Sequence, residues 1–338
     1  MKLTVRKIAE LAGVSPAAVS LVLNDKPGVR PELRAKLTEL LVQNGYTIRK
    51  KDVSSSKRIL YLCYKDAVRV PYIRNEFSPL IMEGVERICR QRQHSLSIVN
   101  AAEDTLEEIL QDACSSKQYD GIIFLGTEYH CPDYTRYERF PIPIIFIDHH
   151  IYGYAVNTLN TDSESGSYLA LSYLKALGHT EIGYITTSQV YGTFHDRRDY
   201  FFQMMKRLNI QRKDEYIYSL DYFQSDLQEN FLQQLKERDT LPTAFIAGND
   251  IIGAAVFSAL VRQGYRIPED ISIVGFDDSA AARMTSPQLT TVHVNLERFG
   301  ELAIERLLQM MDDHSGEVLK IYTGTSLTVR GTAAPPRL

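Results

Sequence analysis

Several polar and aromatic side chains fall just after short β-rich runs. Asp148 follows Ile144–Ile147, Asn249 and Asp250 follow Ala244–Gly248, and Asp277 and Asp278 follow Ser272–Phe276. Arg197 comes after Ile182–Thr186, in what the pattern reads as a strand-to-helix loop, and Tyr222 and Phe223 come after Tyr216–Leu220. Carboxylates, an amide, a guanidinium and aromatic faces together suit a polyol, which takes paired hydrogen bonds on its hydroxyls and a ring to stack on. Any one Asp or Asn at such a place also reads as a helix N-cap. Five positions at equivalent strand ends favour a shared cleft, because ligands of open α/β sheets bind outside the carboxyl ends of the strands.

A second group lies near the start of the chain. Thr4 to Asn24 reads as two short helices around Gly13, with Ser15 as N-cap of the second and Pro16 at its first helical position. This is a helix-turn-helix, which lays its second helix in a DNA major groove. Ile8, Leu11, Val14, Val19, Val22 and Leu23 have core-forming spacing. A third helix opens at Pro31, carries Leu33, Leu37, Leu40 and Leu41 on one face, and stops before Gly45. Residues 1–58 hold twelve Lys/Arg and five Asp/Glu, a balance of +7; the chain is −4, so residues 59–338 carry −11. A basic head on an acidic body places phosphate attraction at one end.

The elements that hold the cleft alternate. Strands are expected at 59–64, 96–100, 121–125, 144–147, 182–186, 216–219, 244–247 and 271–276. Helices are expected at 80–92, 106–114, 166–177, 199–208, 227–238, 251–263 and 296–311. Nearly continuous apolar runs such as Ile122-Ile123-Phe124-Leu125 suit parallel strands covered on both faces. The fold class is therefore a small all-α helix-turn-helix head (1–46), a linker (47–58) and an α/β body (59–338) of two doubly wound lobes.

No run of 18 apolar residues and no signal-peptide core is present, which predicts a cytoplasmic protein with no membrane partner. Cys63, Cys89, Cys114 and Cys131 form no CxxC pair and read as reduced, mostly buried residues. Walker, GxGxxG and GxSxG elements are absent, so no enzyme and no cofactor is expected. Asp148-His149-His150 resembles a fragment of a metal-dependent phosphoesterase signature, and His130-Cys131 offers metal-ligand types, but the accompanying Asp/His clusters are missing. The body alone suits a solute-binding protein; the basic head and the missing secretion signal point elsewhere.

The chain resembles the lactose-repressor (LacI/GalR) family of bacterial regulators over nearly its whole length. The resemblance rests on Val5-Arg6-Lys7-Ile8-Ala9, Val19-Ser20-Leu21-Val22-Leu23-Asn24, Gly45-Tyr46, Tyr119-Asp120-Gly121, Ala247-Gly248-Asn249-Asp250, Val274-Gly275-Phe276-Asp277-Asp278 and Val329-Arg330-Gly331-Thr332. It implies a periplasmic-binding-protein-like effector body, homodimerisation, and operator binding controlled by a small molecule, most commonly a sugar. By position, Pro16, Ala17, Ser20 and Leu21 would meet base edges, while Thr4, Ser15, Asn24, Val29 and Arg30 would hold phosphates. Arg197, Asn249 and Asp277 would bind effector hydroxyls, with Asp148, Thr193, Tyr222 and Phe77 at further cleft positions. His195, Arg198 and His149 near Arg197 would also suit a phosphorylated effector, and some relatives answer to a phosphorylated protein. The residues after Thr332 carry no Leu heptad, so a dimer on a pseudo-palindromic operator is expected.

Two departures stand out. The family usually has Arg where this chain has Leu21, so the reading face lacks the fork that grips guanine and suits A·T pairs and DNA shape. After Gly45-Tyr46 the family's Pro-Asn and Ala-Arg-x-Leu hinge segment is missing; Thr47 to Arg58 is a Ser-rich charged tether instead. A looser coupling of effector to DNA affinity is expected, without a minor-groove wedge.

Overall fold

A computed structural model describes residues 3–23, 28–46, 56–65, 77–188, 192–221, 226–313 and 316–337. The chain divides into two units, Met1–Ser56 and Lys57–Leu338. Asn24, Tyr222, Phe223 and most of the 47–58 linker lie outside the described residues.

The head holds α1 (Val5–Ala12), α2 (Pro16–Leu23) and α3 (Pro31–Gln43). The Thr4 hydroxyl caps α1 by accepting from the Lys7 N–H, and Gly13 ends it at φ +67°, a left-handed turn that glycine adopts freely. The Ser15 hydroxyl oxygen accepts from the Ala18 N–H at 3.2 Å and so starts α2. Ile8, Ala9, Val19, Val22, Leu37 and Leu41 form the buried core, and the Tyr46 hydroxyl ties the end of the head to the Leu3 carbonyl at 2.8 Å. Leu11 is not part of that core; it is 58% exposed. At about 100° per residue, Val5, Ile8, Ala9 and Ala12 share one arc of α1, and Leu11 falls roughly 60° beyond Ile8.

The first lobe of the body is built on β1 (Arg58–Tyr64), β2 (Ser95–Ala101), β3 (Gly121–Leu125), β4 (Ile144–Ile147) and β5 (Asn157–Thr161), with helices α4 (Phe77–Arg92), α5 (Glu103–Ser115) and α6 (Thr135–Glu138). The second lobe has β6 (Ile182–Thr187), β7 (Ile217–Leu220), β8 (Ala244–Ala247), β9 (Ser272–Asp277) and β10 (Thr290–His293). Its helices are α7 (Ser163–Ala176), α8 (Gly192–Arg207), α9 (Leu227–Lys236), α10 (Asp250–Arg262) and α11 (Ala280–Met284). The chain then returns: α12 (Leu296–Asp312) packs on α4, β11 (Lys320–Thr323) joins the first sheet, and β12 (Ser326–Thr328) joins the second. The sheet orders are β11-β5-β4-β3-β1-β2, all parallel, and β12-β10-β9-β8-β6-β7, with β12 antiparallel to β10. Three crossovers thus join the lobes, after β5, after β10 and after β11. This is the expected head with a doubly wound, two-lobed body.

Strands β5, β10, β11 and β12 carry no apolar run and escape pattern reading. Strand β5 is buried although four of its five residues are polar. Its amides are bonded instead of solvated: Asn157 Oδ1 accepts from Arg306 Nη2 at 2.9 Å and from the Leu319 N–H at 3.0 Å, and Asn160 Nδ2 donates to the His149 carbonyl.

Helices α4 and α12 cross without side chains between them. A Cβ on Gly84 would lie 2.0 Å from the Glu297 carbonyl oxygen, and one on Gly300 would lie 2.0 Å from that of Ile81. Beside the crossing, Arg87 grips Glu297 and Glu301, each at 3.0 Å. Cys63 and Cys89 are buried thiols, while Cys114 and Cys131 are partly exposed. No described helix is long and apolar enough to cross a membrane.

Candidate functional site

The strand ends meet at a cleft lined by residues of both lobes. From the first lobe come Phe77, Thr127 and Asp148; from the second come Thr193, Arg197, Asn249 and Asp277. Pattern reading places Arg197 in a loop, but α8 begins at Gly192 and contains it. The first turns of α8 look like a loop because their polar residues fall on both faces, with Thr193 and Arg197 turned to the cleft and His195, Arg198 and Asp199 to solvent. Thr193 and Arg197 are four residues apart and so share a helix face.

Arg197 is 4% exposed. Its Nη1 donates to the Gly248 carbonyl at 2.9 Å, its Nη2 to Asp277 Oδ1 at 2.8 Å, and its guanidinium lies 4.1 Å over the Phe276 ring. Its Nε has no hydrogen-bond acceptor among the described residues. Burial pushes the Asp277 carboxyl up, and Arg197 opposes that shift. Asp148 follows β4; its carboxylate accepts from the Thr127 hydroxyl at 2.6 Å and its carbonyl from the Thr193 hydroxyl at 3.4 Å. Burial raises its pKa to about 6, against the pull of Thr127 and Arg197. Asn249 is indeed an N-cap, with Oδ1 accepting from the Ile252 N–H at 2.9 Å, and it lines the cleft as well.

Asp250 is raised further, to about 7, by burial and then by the charge of Asp277. It holds the frame, accepting from the Thr291 hydroxyl at 2.5 Å and the Ser279 N–H at 2.7 Å. Asp278 turns away from the cleft toward Arg330, and toward His293 Nδ1 at 3.0 Å. Asp148, Asp277 and Asp278 hold φ of +53°, +103° and +58°, conformations that aspartate enters more readily than most side chains and that cluster at functional sites.

Thr127, Phe194, Ile251, Ser279 and Leu296 complete the lining and escape the sequence analysis. Thr127 lies just beyond the end of β3 and obeys the strand-end rule that finds Asp148; Phe194 and Leu296 carry no polar signal. His195 and Arg198 do not reach the cleft, since both turn to Asp199. His149 lies behind it, with Nε2 2.5 Å from the Tyr134 hydroxyl, and burial, then the charge of His150, lowers its pKa to about 4. Asp148, His149 and His150 therefore point to three different partners, Thr127, Tyr134 and Asp196. Cys131 Sγ donates to the Asp133 carbonyl. Among the described residues no group of three or more His, Cys, Asp or Glu side chains is placed to hold a metal.

In the head, Pro16, Ala17 and Ser20 are exposed along α2, while Leu21 is half-buried against Gly28. Thr4 and Ser15 sit at the starts of α1 and α2, exposed Arg30 sits at the start of α3, and Val29 beside it is half-buried.

The model for bacterial regulatory proteins of the lacI family matches residues 4–47, and that for periplasmic binding protein-like domains matches residues 171–333. The ribose operon repressor of Escherichia coli (strain K12) is 29% identical over 339 positions, covering 98% of this chain and 99% of the repressor. The lac repressor dimer bound to operator and the anti-inducer ONPF superposes with TM-score 0.68 at 20% identity, over 99% of this chain and 100% of that one. A LacI family transcriptional regulator from Enterococcus faecium with bound ribose gives TM-score 0.68 at 23% identity, over 82% of this chain and 99% of that one. At these identities the structural likenesses establish the fold.

Proposed function

This chain belongs to the LacI family of bacterial regulatory proteins, and on that premise we propose that it is a transcriptional repressor whose operator affinity is set by a small neutral polyol. The observation that carries this reading is the convergence of Asp148 from one lobe with Arg197, Asn249 and Asp277 from the other on one cleft. Such a cleft ties effector binding to lobe arrangement. A ligand that prefers one arrangement shifts the population toward it, and the DNA affinity linked to that arrangement follows. Among the described lining residues three carboxylates, Asp148, Asp250 and Asp277, face one guanidinium. That balance favours a neutral sugar or sugar derivative over a phosphorylated one.

Pro16, Ala17, Ser20 and Leu21 form the base-reading face; Thr4, Ser15, Asn24, Val29 and Arg30 hold the backbone. With no cation on that face, the operator is read through thymine methyls, a serine hydrogen bond and DNA shape. A binding-site selection on the full-length protein is expected to return A·T pairs under Leu21, and Leu21→Arg is expected to move that position to G·C. A dominant guanine under wild-type Leu21 overturns the assignment.

The protein acts as a cytoplasmic homodimer on a pseudo-palindromic operator. Strand β2 supports this: it is an edge of its sheet and presents Ile98 at 51% exposure, a surface that a second copy would cover.

A thermal-shift screen of sugars, sugar phosphates and nucleosides on the full-length protein tests the effector class. A neutral pentose or hexose is expected to raise the melting temperature, and the same compound to change operator affinity. A response confined to phosphorylated compounds overturns the neutral-polyol reading.

A further inference from the structure

Beside the cleft, a histidine–aspartate pair bridges the lobes. His150 sits two residues beyond Asp148 in the first lobe, and Asp196 lies on α8 between Thr193 and Arg197 in the second. His150 Nδ1 and a carboxylate oxygen of Asp196 are in direct contact, with the two side chains only 6% and 18% exposed. The imidazole is held in place: it stacks on Tyr152 at 5.9 Å and 10° and on Tyr322 at 5.9 Å and 26°. The interlobe contact next to it, from the Thr193 hydroxyl to the Asp148 carbonyl, is long at 3.4 Å. The pair is therefore the stronger tie between this loop and α8, since hydrogen bonds to charged groups exceed neutral ones.

We propose that His150 and Asp196 form an interlobe latch, positioning the Thr193–Arg197 face of α8 against the Asp148 loop and so setting how tightly the cleft holds its effector. The effect on affinity rests on reading the cleft as the effector site; the latch itself does not. Neither residue lines the cleft, so the pair acts by holding α8 against the Asp148 loop. Around the pair stand His149 and Tyr152 from its own loop, Tyr200 from α8 and Tyr322 from β11.

The test uses the full-length protein with spin labels at Glu108→Cys and Arg262→Cys, exposed positions on α5 and α10, and with Cys114 and Cys131 changed to Ser. Pulsed EPR then reads the interlobe distance with and without D-ribose. The latch predicts a short, narrow distance distribution in the wild type that lengthens or broadens in Asp196→Asn. Asp196→Glu, which keeps the carboxylate, should recover part of the wild-type distribution. Ribose binding by Asp196→Asn should fall about tenfold. Unchanged distance distributions in Asp196→Asn, or a lower melting temperature with the wild-type distances, overturn the latch. If neither protein binds ribose or any other polyol, the cleft reading fails, and the distances still decide the latch.

Discussion

Arg197→Ala is expected to abolish effector control while operator binding by the head persists. The guanidinium holds Gly248 and Asp277 and leaves its Nε unpaired among the described residues, so its loss removes charge-assisted donors and frees Asp277 to turn. Two such bonds correspond to about 3 kcal/mol, on the order of a hundredfold in effector affinity. The same change strands a buried carboxylate, at about 3–5 kcal/mol of stability, so the single variant confuses folding with binding. Adding Asp277→Asn removes the stranded charge. The double variant should regain most of the melting temperature and none of the effector response, as read by calorimetric titration and operator binding with and without effector. An effector response retained in Arg197→Ala refutes the assignment.

Gly300→Ala is expected to be the most damaging single methyl group in the body. Its Cβ would sit 2.0 Å from the Ile81 carbonyl oxygen, which is backbone and cannot swing aside as a side-chain tip can. Helices α4 and α12 must then separate, which breaks the packing of Ile81, Val85, Phe299 and Ile304 in the shared core. Overpacking of this kind costs about 3 kcal/mol, roughly 5 °C of melting temperature at this size. Gly84→Ala should behave alike, since its Cβ meets the Glu297 carbonyl at the same distance. Gly324→Ala is the control: nothing lies within 4 Å of its Cβ, and less than about 0.5 kcal/mol is expected. Scanning calorimetry separates these outcomes, and equal melting temperatures for Gly300→Ala and Gly324→Ala would show that the crossing is soft.

The legible parts of this fold are those where burial and residue type agree. Strands such as Gly121–Leu125 and Ile144–Ile147 are apolar throughout because helices cover both faces of their sheet. Strand β5 is equally buried but satisfied by hydrogen bonds from Arg306 and Leu319, partners 149 and 162 residues away that no local pattern reveals. Arg197 inverts the same rule, being a polar residue inside a helix whose polar face meets a cleft. Leu11 marks the limit of spacing alone, because a short helix packed by two partners has a core arc that spacing does not orient. Asp148, Asn249 and Asp277 were legible because a strand end is both a topological position and a turn in the residue pattern. Phe194 and Leu296 were not, since an apolar residue at a helix start signals packing before it signals a ligand.

The three crossovers also govern the order in which the molecule can be finished during synthesis. The first sheet acquires its outer strand β11 from residues 320–323, and the second acquires β12 from residues 326–328, long after the rest of each sheet has been made. Until then β5 waits as an open edge and Arg306 has no Glu317 carbonyl to hold. Neither lobe is complete before the other, so the nascent chain has no finished half to fall back on. Pairings of such long sequence separation form slowly and leave sheet edges open to other chains in the interval. A layout that lets a ligand move two lobes together thus also makes them mature together, and the protein is most vulnerable to aggregation just before it is whole.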